Sequence, residues 1–356
     1  MSDQDVMKAV LFDGNLQPAV AMVDRPIPTE GEVLLRVLRA GICGTDLSIL
    51  SGRHPRARAP LVLGHEVAAR VYEMGATARA THSGLQIGDL VTIEPIISCG
   101  QCVACRTGVP HVCSSLRLYG IDLPGGMAEF MTVRADRLVP APQGMSPEMV
   151  VLAEPLAVAV HSVRLAGLRY GDSVCVIGGG PIGLLIALVA RKSTSKPVLI
   201  SEPEPSRRRV AEKLGFEVVD PSSSSLEEIV GMRSQGRGID VVFESAGSQG
   251  AVSSATRIAR PRGTVVQVSM PKEPRTVSLV ELTFKELVLK GVRVYEPFDF
   301  EHAIELLQSD AELFAPLLSR PFALDEAADA FEAARSGDKG LRIILDLENL
   351  GDERHD

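Results

Sequence analysis

The chain has 356 residues and a net charge of −8, a length that suits two domains at about 100–200 residues each. Apolar residues make up 45% and charged residues 23%, the balance of a globular protein able to bury real cores without disulfide staples. The negative charge argues against a general binder of nucleic acid or anionic membrane.

The opening stretch MSDQDVMKAV carries acidic residues and no long apolar core, unlike a secretory signal. The longest clean apolar stretch, near Ile182–Ala190, is too short to cross a bilayer. The expectation is a cytoplasmic protein with no membrane or nucleic-acid partner. In a reducing compartment, clustered cysteines signal metal or catalysis more than disulfides.

The first part of the chain is punctuated by glycine and proline and rich in short valine-containing runs. Cys43, in GICGTD, has no second cysteine nearby and needs partners from elsewhere. LVLGHEVAAR offers His65 and Glu66, and VLAEPLAVAVH offers Glu154; Cys, His and Glu are all zinc-ligand types. Between them GRHPRAR, Gly52–Arg58, holds three arginines. It reads as a solvated loop, with a basic rim for an acidic or phosphorylated substrate as the sharper alternative.

CGQCVACRTGVPHVC then places Cys99, Cys102, Cys105 and Cys113 within one short run. Short gaps turn successive thiolates onto one ion, and the longer gap lets the chain loop round to close a tetrahedron. Four thiolates fill every position on zinc, so this is a structural site that is chemically closed. The order and gaps do not match the ferredoxin patterns of iron–sulfur ligation. Cys175, in SVCVIGGG, is expected in a buried strand.

From residue 173 the pattern becomes strand, glycine turn, helix: SVCVIGGGPIGLLIALVARKS. Gly178, Gly180 and Gly183 satisfy G-x-G-x-x-G in the required context, with Pro181 and Ile182 opening the helix. The glycines permit the tight turn, the approach of a pyrophosphate and close helix packing, and the helix start faces the phosphates with free N–H groups. KPVLISEPEPSRR gives a second strand ending at Glu202, 19 positions after Gly183. A carboxylate there accepts hydrogen bonds from the ribose diol and repels a 2′-phosphate, which favours NAD over NADP. Arg207, Arg208 and Arg209 could meet a phosphate, but they also suit the start of a helix. PSSSSLEE reads as a turn and helix N-cap. GIDVVFESAG and GTVVQVSM read as buried strands around the helix SQGAVSSATRIARP. LVLKGVRVY reads as the last strand, and FDFEHAIELLQSD as a helix.

Taken in order, CGTD, GHE, the four-cysteine run, GGMAEF, EPLAVAVH and the glycine turn resemble the zinc-dependent medium-chain dehydrogenase/reductase family over nearly the whole chain. They are most similar to its sorbitol/polyol, butanediol and threonine dehydrogenase branch. The resemblance implies an α/β protein of two domains. Residues 1–155, completed by 296–356, would form a GroES-like distorted β-barrel catalytic domain. Residues 156–295 would form a Rossmann domain with a doubly wound parallel sheet. It also implies a catalytic zinc on Cys43, His65 and Glu66, with Glu154 as a further or alternating ligand. With the structural ion, that makes two zincs per chain. Asp46 falls where the family has an acid that orients the zinc histidine, and Thr45 where a hydroxyl takes the substrate's proton. The implied reaction is NAD-dependent oxidation of a secondary alcohol, a polyol or sugar alcohol, to a ketone. L-Threonine or a vicinal diol is the alternative substrate. Relatives of this kind are dimers or tetramers, so a homo-oligomer is expected.

Three departures from the pattern bear on the substrate. Ser48 replaces a relay histidine and cannot titrate near neutral pH as histidine does; His54 is a substitute only if it is more than a loop residue. Tyr295 matches the tyrosine of the Arg-Tyr pair that grips polyols, but Val294 stands at the arginine position, and the adjacent Arg293 would point to the opposite face of a strand. Ala69 replaces a glycine after GHE. His161 reads as structural. A non-catalytic nucleotide-binding member is disfavoured because none of Cys43, His65 and Glu66 is missing.

Overall fold

The computed structural model describes residues 6–271, 273–337 and 341–348. The parts of the expected first domain at 1–5, 338–340 and 349–356 lie outside the described residues. The chain forms two compact units. One runs as far as Glu154 and resumes at Glu296; the other is Pro155–Tyr295.

The first unit is built on antiparallel strands. Its long central strand, Glu32–Gly41, pairs along one edge with Glu66–Met74. Along the other edge it pairs with Phe130–Arg134 and then Ile344–Asp346. Flanked on both sides, it buries most of its side chains. Leu90–Ile93 and Leu138–Pro140 extend the sheet one way and Phe322–Ala323 the other. A smaller sheet joins Ala19–Asp24, Val6–Phe12 and Leu61–Val62. Its edge strand Ala19–Asp24 alternates half-buried and exposed residues, the period of a strand with one wet face.

Three distant segments meet at Gly41. It pairs with Glu66 on one side and Ile344 on the other. A Cβ at Gly41 would lie 2.2 Å from Glu66 Oε2, so only glycine leaves room for that carboxylate. Arg342 donates from Nη2 to the same Oε2, and both residues are buried. Burial pulls the Arg342 guanidinium pKa down, but the charges of Glu66, Cys43 and Glu154 and the Glu66 hydrogen bond together outweigh it, and the net shift is upward.

The second unit is a six-stranded parallel sheet. Its order is Glu217–Val219, Val198–Ser201, Val174–Ile177, Ile239–Glu244, Ala259–Gln267 and Val288–Gly291. The strand order reverses between Val174–Ile177 and Ile239–Glu244, so the sheet is doubly wound. Cys175 is fully buried in the core cluster. The helix Leu226–Ser234 starts at Ser225, whose hydroxyl accepts from the Glu228 N–H at 3.2 Å.

Two expectations needed correction. The last strand stops at Gly291 and does not reach Tyr295. Val294 has φ +44°, a left-handed conformation foreign to a β-branched residue in a strand. The second concerns membrane-spanning length: Pro147–Ala166 is broken by Glu148, Glu154 and Arg164, and so less clean than Ile182–Ala190, but it is longer. It is long and apolar enough to cross a membrane, but 78% of its most apolar window is buried inside the protein, as for a core helix.

At the start of the sheet, Asp240 Oδ2 accepts the Ser173 N–H at 2.8 Å and hydroxyl at 2.6 Å, while Oδ1 accepts Arg260 Nε–H. Burial pushes this carboxyl's pKa up, but the Ser173 and Arg260 interactions outweigh it and hold the pKa at about 2. A pKa lowered by folding stabilises fully above the unfolded value and is lost as pH falls through the folded one. Asp240→Asn is expected to cost ~1 kcal/mol in urea unfolding at pH 7, allowing for solvent screening. The difference from wild type should close as pH falls from about 4 to about 2; a difference constant over that window would refute the linkage. Arg342→Met strands the buried Glu66 carboxylate and is expected to cost ~3 kcal/mol. The double variant Glu66→Gln/Arg342→Met should recover most of that loss in thermal unfolding.

Candidate active site and metal centres

The convergence at Gly41 also assembles a cluster of ligand-type side chains. Cys43 follows the central strand by two residues and caps the helix Gly44–Leu50. His65 immediately precedes the neighbouring strand, and Glu66 opens it. One ligand atom from each of Cys43, His65 and Glu66 lies within 4.8 Å of the others. Asp46, fully buried on the first turn of the helix, ties the group together. Its Oδ2 accepts the Cys43 N–H at 2.8 Å, and its Oδ1 stands 3.8 Å from His65 Nδ1. That leaves His65 Nε2 as the nitrogen turned away from Asp46.

The electrostatics fit a cation. Glu66 Oε1 is buried with no hydrogen-bond partner among the described residues, although Oε2 is held by Arg342. A buried, acceptor-only oxygen on a carboxylate that shares its cluster with a thiol and an imidazole fits a positive ion. Burial raises the Asp46 pKa to about 6 against the lowering effect of His65. Burial pulls the His65 pKa down, but the charges of Asp46 and Cys43 reverse this and raise it well above the usual value. Glu154, buried on the first turn of Ala153–Ala166, is outside the three-atom cluster but close enough to act electrostatically on His65 and Arg342. The Cys43 thiol lies 3.7 Å from the Thr45 hydroxyl.

In the second cluster the ligand atoms of Cys99, Cys102, Cys105 and Cys113 all lie within 4.8 Å of one another. The Cys102–Cys105 and Cys99–Cys105 sulfur separations are 3.5 and 3.9 Å. A tetrahedron with metal–sulfur bonds of ~2.3 Å has sulfur–sulfur edges of ~3.8 Å. The backbone N–H groups of Gln101 and Cys102 point at Cys99 Sγ and lower its pKa to about 7. Backbone hydrogen bonding lowers that of Cys102 to about 5. Cys105 goes the other way: burial and the neighbouring Cys102 sulfur push its thiol up to about 11, so the backbone prepares Cys99 and Cys102, rather than all four, as thiolates.

In the parallel-sheet unit, Gly178 has φ +107°. A Cβ on Gly183 would fall 1.9 Å from the Gly178 carbonyl oxygen. Gly180 caps the helix Pro181–Ser193 with no side-chain hydrogen bond, so its first N–H groups remain for an anion. Glu202, buried just past its strand, accepts the Gly179 N–H at 2.6 Å and the Glu204 N–H at 2.8 Å. The Arg207 guanidinium lies against Gly180, and its buried Nε has no hydrogen-bond partner among the described residues. Arg208 pairs with Asp220, and Arg209 is exposed on the helix Pro205–Lys213. The cradle and its free donors fit a dinucleotide phosphate.

The remaining residues singled out in the sequence are placed differently. Tyr295 is 2% exposed, a packing position rather than an open contact surface. His54 is half-buried, and its Nδ1 accepts the Arg56 and Ala57 N–H groups, so it shapes its own loop. Arg56 is spent on Asp122 and the Leu116 carbonyl, and Arg58 on carbonyls of the same loop. Ser48 is half-buried on the Cys43 helix, and His161 is buried. Arg342 was not foreseen. It lies 276 residues from Glu66, in a segment with no motif, and only strand pairing reveals it.

Comparison with known proteins agrees with this geometry. Residues 29–143 match the alcohol dehydrogenase GroES-like domain, and residues 181–309 match the zinc-binding dehydrogenase domain. The chain is 37% identical to 2-dehydro-3-deoxy-L-galactonate 5-dehydrogenase of Pseudoalteromonas atlantica, over 96% of this chain and 98% of that one. It is 36% identical to L-threonine 3-dehydrogenase of Pyrococcus horikoshii, over 91% and 93%. A crystal structure from Sinorhizobium meliloti 1021, described as a zinc-binding dehydrogenase bound to NADP, superposes with a TM-score of 0.88 at 33% identity. It covers 96% of this chain and 100% of that one. The chain is an oxidoreductase of the zinc-dependent medium-chain dehydrogenase/reductase family.

Proposed function

We propose that this enzyme oxidises a secondary alcohol on a small, hydroxyl-rich substrate with NAD. The carrying observation is the buried Cys43–His65–Glu66 cluster with its bare Glu66 Oε1. Cys43 Sγ, His65 Nε2 and Glu66 would hold a zinc ion, whose chemistry is to acidify a substrate hydroxyl. Asp46 holds the His65 ring and, through the Cys43 N–H, the first turn that carries the thiol. Thr45, beside Cys43 Sγ, takes the proton from the substrate hydroxyl. Glu154 adds negative charge behind His65. A second zinc on the four thiolates would be structural.

Gly178, Gly180, Pro181, Ile182 and Gly183 receive the dinucleotide, which supplies hydride acceptance. Glu202 supports NAD, because a carboxylate beside the turn repels a 2′-phosphate. The Sinorhizobium relative holds NADP, so this preference is a property argued for this chain. The named relatives act on hydroxylated acids, a sugar acid and threonine. This widens the substrate from a plain polyol to one that also carries a carboxylate. Val288 and Leu289 are exposed on the edge strand Val288–Gly291, with Phe284 just before it, which supports assembly of like chains.

An NAD-reduction screen over sugar acids, polyols, vicinal diols, threonine and simple alcohols, with metal analysis alongside, tests this reading. Activity on a hydroxylated substrate with about two zincs per chain is expected. Cys43→Ala should lose at least ~100-fold in kcat and one zinc while still binding NADH; unchanged turnover would sink the assignment. Glu202→Ala should move the NAD-to-NADP ratio of kcat/KM toward NADP by ~10-fold or more. An unchanged ratio would remove Glu202 from the specificity argument.

A further inference from the structure

The C-terminal end of Ile239–Glu244 lies beside that of Val174–Ile177, with Glu244 paired to Ile177. Strand order reverses between these two strands, and open parallel sheets take their ligands in the crevice at such a point. Two polar side chains here have no part in the mechanism above. Glu244 is fully buried. Its Oε1 accepts the Ala246 N–H at 2.9 Å and the Gly247 N–H at 2.7 Å. Its Oε2 accepts Gln267 Nε2–H at 2.6 Å and the Ser269 hydroxyl. The carboxylate, an acceptor with about four lone-pair sites, is thus met by four donors. It winds residues 245–247 into a turn around itself.

That turn aims Ser245 at the glycine turn. The Ser245 hydroxyl shares its proton between the carbonyls of Ile177 at 3.0 Å and Gly178 at 3.1 Å. The same oxygen stands 2.8 Å from where a Cβ on Gly178 or on Gly183 would be. Ser245 therefore fills the space that the glycines leave and holds the Gly178 peptide from beneath.

We infer that Glu244 and Ser245 are positioning residues for the dinucleotide: the buried carboxylate sets the Ser245–Gly247 turn, and its serine pins the glycine turn in the shape that receives the diphosphate. A turn fixed before binding spares the ligand the cost of ordering it. The inference rests on the nicotinamide reading above. Glu244→Gln puts an amide NH₂ against donors on one side of the carboxylate. Ser245→Ala removes only the pin.

The test is NADH titration of the zinc-loaded wild type and both variants, followed by NADH fluorescence, with thermal unfolding and steady-state kinetics in parallel. Ser245→Ala should raise the NADH Kd and the KM for NAD by ~5–10-fold, and Glu244→Gln by ~10-fold or more. The KM for the alcohol and kcat at saturating NAD should stay within ~3-fold of wild type. A purely structural role would lower the melting temperature and leave NADH Kd unchanged; that result overturns the inference. If Glu244→Gln does not fold, Ser245→Ala decides by itself. A wild type that binds no NADH would overturn the nicotinamide reading and this inference together, an outcome distinct from variants that bind as wild type does.

Discussion

The contact on which the first unit depends is the buried Glu66–Arg342 pair over Gly41. Three antiparallel strands are brought edge to edge at one residue without a side chain, and the space so opened is filled by the Glu66 carboxylate, which Arg342 holds. A buried ion pair holds only when both partners stay in place, because either one alone is an uncompensated charge. The same carboxylate stands within the Cys43–His65 cluster, with Oε2 held by Arg342 and Oε1 without a hydrogen-bond partner among the described residues. Structural cohesion and the ligand cluster thus share a single carboxylate.

The two thiol sites show how sequence distance and chemical openness are related. Cys99, Cys102, Cys105 and Cys113 sit close along the chain, and their own backbone N–H groups stabilise the sulfur charge. Such a site closes on itself, because four short-range ligands leave no position for anything else. The Cys43 cluster draws its members from just past the end of one strand and from the start of its neighbour, so the sheet sets their spacing. A site with fewer, more widely separated ligands keeps room for a reactant.

The parallel-sheet unit solves a different problem by similar means. Its glycine turn has no side chains of its own to hold it, so neighbours do so from both sides. Glu202 accepts the Gly179 N–H, and Ser245 donates to the Gly178 carbonyl. Each of these groups stands at the C-terminal end of a strand adjacent to Val174–Ile177, where a parallel sheet collects its ligands.

Much of this was legible in the residues alone. The four-cysteine spacing, the strand–G-x-G-x-x-G–helix context and the short motifs around Cys43, His65 and Glu154 carry chemistry within a few residues of one another, and local chemistry survives in a linear text. Apolar periodicity likewise located the helix Pro297–Ser309 and the core strands. The misread place depends on packing beyond the local pattern: the last strand stops at Gly291, and Val294 farther along is left-handed. Arg342 bears no local signal, since its partner is 276 residues away. Residue type and spacing determined by themselves which chemistry this chain can hold. Only the tertiary structure decided which charge meets which, because burial and strand register set the partner of every polar group away from water.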